Sequence, residues 1–72
     1  MDMRKLVGRN VRAARKALRM TQERLAEAAG FSQQYISGLE CGRRNPTIVT
    51  LYELAQVLKT TPVDLLAPPE SE

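Results

Sequence analysis

The chain has 72 residues, 43% of them hydrophobic but only 4% aromatic, with a formal net charge of +3 at pH 7. That length makes one small domain, which needs a compact helical core or a second copy to bury enough surface. Cys41 is the single cysteine and there is no histidine, which excludes an internal disulfide and a Cys/His zinc site and points to a reducing cytoplasm.

Other classes fall away for similar reasons. Without histidine the usual general base near neutral pH is missing. No Ser or Cys sits in a nucleophile motif, and no glycine-rich loop could cradle a phosphate. An enzyme is therefore not expected, nor a metal, a cofactor or a small-molecule ligand. No apolar run approaches the ~18 residues of a membrane span. The start, MDMRKLVGRN, lacks the apolar stretch and small-residue cleavage site of a signal peptide. Charge is unevenly spread: residues 1–44 carry ten Lys or Arg against four acids, and residues 45–72 carry one Lys against four. A polyanionic partner fits the basic half, and so does a solvated helix face.

Asp2 to Arg19 reads as a first helix, with Asp2 as N-cap. Val7, Val11, Ala14 and Leu18 form its apolar stripe at intervals of four, three and four. Gly8 inside it costs up to ~1 kcal/mol against alanine. Thr21 caps a second helix running to Ala29, and Gly30 ends it in the left-handed conformation glycine adopts cheaply. Phe31 is expected to fold back into the core. Ser32 caps a third helix over 32–41, which Gly42 ends. Arg43-Arg44-Asn45-Pro46 is a polar loop.

Thr47 caps a fourth helix whose Ile48, Leu51, Leu54, Ala55 and Leu58 form a core stripe. Thr61-Pro62-Val63-Asp64 starts a very short fifth helix over 62–66, with Thr at N-cap, Pro in the first turn and Asp after it. That helix packs Val63, Leu65 or Leu66 inward. Ala67-Pro68-Pro69 stops it. The division is a domain over 1–67 and a short acidic tail over 68–72, expected to fray. No segment has a period of two and no repeat is present, so the fold class is all-α with five helices.

The stretch over 22–42 organises this set. Ala26 is small where two helices must cross. Gly30 follows it by four residues and makes the turn. Ile36 comes six residues further on and faces back, and Leu25, Phe31 and Leu39 complete the seam. A connection of only Gly30-Phe31 suits a sharp corner, the helix-turn-helix arrangement whose second helix enters a DNA major groove. A purely structural helical corner has the same pattern.

Gln22-x-x-Leu25-Ala26-x-x-Ala29-Gly30-Phe31-Ser32-Gln33-x-x-Ile36-Ser37-x-Leu39-Glu40-x-Gly42, followed by Pro46-Thr47 and Leu65-Leu66, resembles the Cro/phage-repressor, or XRE-type, family of helix-turn-helix regulators. The resemblance spans about residues 4–66. It implies a compact, lambda-repressor-like domain that binds double-stranded operator DNA as a homodimer in the prokaryotic cytoplasm.

The resemblance assigns roles position by position. Gln33 and Gln34 open the third helix where relatives read base edges, and a glutamine amide can pair bidentately with adenine. Tyr35 and Ser37 are further candidates for base or phosphate contact. Gly38 falls where some members carry another reader, so that base is expected to be read weakly. Gln22 matches a residue that holds a phosphate and braces the first glutamine of the third helix. Arg43 and Arg44 lie where members touch the phosphate backbone. Arg15 and Glu40 match a structural ion pair between the first and third helices. Cys41 stands where Asn, Lys or Arg is common. The dimer surface is expected on the fourth and fifth helices, through Tyr52, Val57 or Val63. The expected function is a transcriptional repressor. The alternatives are a restriction-modification controller or antitoxin-like autoregulator and, further off, a protein-interaction module that binds no DNA.

Overall fold

The computed structural model describes residues 2–68. Five helices follow one another: α1 (Met3–Ala17), α2 (Gln22–Ala29), α3 (Gln33–Glu40), α4 (Ile48–Leu58) and α5 (Pro62–Leu66). No strand occurs among the described residues. Each helix starts on a side chain that accepts a backbone N–H of its first turn. Asp2 accepts from Arg4, Thr21 from Arg24, Ser32 from Tyr35, Thr47 from Thr50 and Thr61 from Asp64. Each such cap contributes about 0.5–2 kcal/mol, which matters because four of the helices are too short to persist alone. The tail beyond Pro68 lies outside the described residues. No helix among them is long and apolar enough to cross a membrane.

The core forms where the apolar stripes of α1 to α4 meet. Val11, Leu25, Ile36, Leu39 and Leu54 are wholly buried, and Leu65 joins them from α5. Phe31 is half-buried against this cluster. Two expected core residues are not in it. α1 ends at Ala17, and Arg19 turns left-handed with φ 59°. Leu18 caps that end of the helix and is left exposed. Ile48 has the right helical phase but is the first residue of α4, past the last layer of the core, and it is 81% exposed. Of α5, only Leu65 packs inward; Val63 and Leu66 stay exposed.

Polar contacts fix the neighbours of α1. Asn10 Nδ2 donates to the carbonyls of Leu65 at 2.9 Å and Ala67 at 2.8 Å. That satisfies carbonyls a helix end would otherwise leave open and ties α5 to α1. On its other flank α1 crosses α3 at Gly8. A Cβ placed there would run into the Leu39 carbonyl oxygen and lie 2.9 Å from that of Glu40. The two backbones therefore approach more closely than any side chain permits.

Candidate nucleic-acid interface

The corner between α2 and α3 sets the site. Gly30 has φ 83°, a region that costs other L-residues 1–2 kcal/mol or so. The N–H groups of Gly30 and Phe31 both bond the Ala26 carbonyl at 2.9 Å. The chain thus turns its corner within two residues. α3 spends its inner face on the core through Ile36 and Leu39. Its outer face carries Gln33 and Gln34, both exposed, then Ser37 and Gly38. At the far end Gly42 is left-handed, and the Arg43 N–H donates 2.8 Å to the Gly38 carbonyl, which folds the loop back along the helix. Gln33, Gln34, Ser37, Gly38, Arg43 and Arg44 consequently line one shallow open depression. None of the six is acidic, and two are cationic.

Behind this face α3 is held by charge. Arg15 Nε donates 2.7 Å to Glu40 Oε2, and Nη2 donates 2.9 Å to Oε1. Nη1 reaches the Met20 carbonyl at 2.8 Å. Hydrogen bonding to Glu40 raises the Arg15 pKa above its ordinary value against the opposing effect of burial. Gln22 lies under the site: its Nε2 donates 3.1 Å to Glu40 Oε1. In the free protein it braces that carboxylate rather than the first glutamine of α3. Tyr35 stands beside the depression, half-buried. Its ring stacks on Phe31 with centroids 5.0 Å apart, and the Arg44 guanidinium carbon sits 5.4 Å from its centroid. Cys41 is exposed at the end of α3. The contact of Arg44 with Gly38 and Tyr35 was not foreseeable from spacing, because it depends on how the loop returns.

A two-helix corner presenting a polar, cation-flanked outer helix is a helix-turn-helix DNA-binding domain. The helix-turn-helix family profile matches residues 11–65. The chain is 57% identical over 68 residues to the HTH-type transcriptional regulator y4dJ of Sinorhizobium fredii, covering 94% of this chain and 88% of that protein. It is 39% identical over 66 residues to the control protein C.SmaI of Serratia marcescens, covering 92% and 79%. Among solved structures it superposes on the biofilm master regulator SinR in complex with DNA, with a TM-score of 0.81 and 31% identity over 85% of this chain and 98% of that one. The chain belongs to this helix-turn-helix family.

Proposed function

We propose that this DNA-binding transcriptional regulator is a repressor that covers promoter DNA as a homodimer, acting in the cytoplasm on the nucleoid. The observation that carries the reading is the split of α3 into a buried apolar face and an outer face of Gln33, Gln34 and Ser37 flanked by Arg43 and Arg44. In this reading residues 1–67 are the DNA-binding unit. The α3 helices of two copies enter successive major grooves ~34 Å apart on a roughly palindromic site. Gln33 and Gln34 read base edges, Tyr35 and Ser37 touch bases or phosphates, and Gln22 and Arg43 hold phosphates.

Gln33→Ala is expected to lose about 1–3 kcal/mol of binding and to relax the preference at one base pair. Affinities across a set of single-base operator variants test this. A preference profile matching wild type would remove Gln33 from base reading.

The second copy is expected to cover the apolar residues left exposed on α4 and α5. Ile48, Val49 and Tyr52 share one face of α4, and Val63 projects from α5. Val57 is half-buried against the core, so it contributes less than the sequence alone suggests. Tyr52→Glu should shift sedimentation equilibrium toward monomer. Operator affinity should fall about 10²-fold or more as the two half-sites cease to act together. A variant that stays dimeric would move the interface elsewhere.

A second reading, a restriction-modification controller, is favoured by the likeness to the restriction-modification controller protein C.AhdI of Aeromonas hydrophila, 34% identical over 86% of this chain. Selecting bound sequences from random DNA and locating them in the genome separates the two, since a controller's sites would lie at restriction-modification genes.

A further inference from the structure

Gly38 lies one helical turn beyond Gln34 on the outer face of α3. A side chain there would point the same way as the glutamine, but glycine offers none. The space is nevertheless filled. A Cβ built on Gly38 would sit 3.2 Å from Arg44 Nε, 3.4 Å from its Cγ and 3.8 Å from its Cδ. The Arg44 side chain therefore runs back over the helix that the chain has already left. Two features hold it there. The Arg43 N–H to Gly38 carbonyl bond draws the loop against the helix end. The Tyr35 ring, itself backed by Phe31, lies under the guanidinium. Arg44 makes no ion pair among the described residues, and it lines the depression together with Gln33, Gln34 and Ser37.

We propose that Arg44 reads a guanine from the position Gly38 leaves empty, so that a loop residue laid across α3 completes the base-reading row. This rests on the DNA-binding reading above and replaces the weakly read base and the phosphate role that the sequence assigns to Gly38 and Arg44. The arginine fork matches the O6 and N7 acceptors on the major-groove edge of guanine. The stack on Tyr35 and the contact over Gly38 keep the Arg44 side chain against α3. Arg43, its exposed neighbour, can serve the backbone. Gly38 is then a specificity residue through its lack of a side chain, because a Cβ there would press on Arg44 and shift it by a few tenths of an ångström.

Selection of bound half-sites from a random DNA pool tests this, with wild type, Arg44→Ala and Gly38→Ala, each first checked for helical content and melting. Wild type is expected to enrich a site containing a G·C pair. Arg44→Ala should lose preference at that pair by about 5- to 150-fold and keep the preferences set by the glutamines. Gly38→Ala, with every charge intact, should weaken the same pair. If Arg44→Ala instead weakens all sequences alike, lowers the salt slope by about one and selects the wild-type site, Arg44 is a phosphate holder and the proposal falls while the regulator reading stands. If wild type enriches no site, the regulator reading falls first.

Discussion

Glu40→Ala is expected to cost about 3–5 kcal/mol of folding stability, because it strands a cation inside the protein. The Arg15 side chain is 10% exposed and that of Glu40 only 2%, so water cannot replace the lost carboxylate. Of the three polar contacts Arg15 makes, two go to Glu40 and only the Met20 carbonyl would remain. Gln22 would lose its partner as well. A small domain has about 5–15 kcal/mol in total, so the loss is a large share. In thermal unfolding it corresponds to at least ~12 °C for a chain of this length. The pH dependence follows from Arg15, whose pKa is raised in the folded state. A cation raised in this way keeps its full contribution below its unfolded pKa and loses it only as pH climbs through the folded value. The gap between wild type and variant should thus stay level from about pH 7 to about pH 10. Urea unfolding at several pH values measures both. A loss under about 1 kcal/mol would rank the pair with ordinary surface bridges. The double replacement Arg15→Met with Glu40→Leu should recover most of the stability, since it removes both charges and keeps the volume.

Gly8→Ala is expected to destabilise although alanine is the better helix former. The propensity gain is at most ~1 kcal/mol. Against it stands a Cβ driven into the carbonyl oxygens of Leu39 and Glu40. Both are backbone atoms of α3 and cannot rotate aside as a side chain can, so the helices must part. Overpacking of that kind costs about 1–3 kcal/mol, and the displaced element is the one that carries the outer polar face. Gly38→Ala is the informative contrast. Its new Cβ meets only the flexible Arg44 side chain, so the propensity gain should survive and that variant should unfold later than wild type. Chemical denaturation of the two variants side by side reads the opposite signs. Equal shifts in the same direction would show that the α1–α3 crossing is looser than its geometry.

Gly8 and the Arg15–Glu40 pair also explain how the site keeps its form. The outer face of α3 has few contacts of its own, being polar and open. Its rigidity comes from beneath, through Gly8 at the crossing and through Arg15 and Gln22 on Glu40. Changes at these positions are therefore expected to appear in DNA binding as well as in melting, although none of them lies in the depression.

The sequence by itself determined the elements and the corner. The five caps, Gly30 at the turn and the seam of Leu25, Ala26, Ile36 and Leu39 all rest on contacts within four or five residues or on helical period, and such signals survive in a linear reading. The family resemblance rested on the same short spacings. Tertiary structure alone decided what lies past the end of a stripe or across two helices. Ile48 and Leu18 have the phase of core residues but sit at helix ends, where they stay exposed. Asn10 looks like a poor helix residue until the carbonyls of Leu65 and Ala67 arrive beside it. Gly8 looks like a defect until α3 crosses it. Arg44 reads as a loop cation until the chain folds back and lays it over Gly38 and Tyr35. Each of these depends on atoms distant along the chain or on the path of a returning loop, and periodicity records only what a residue's own helix does.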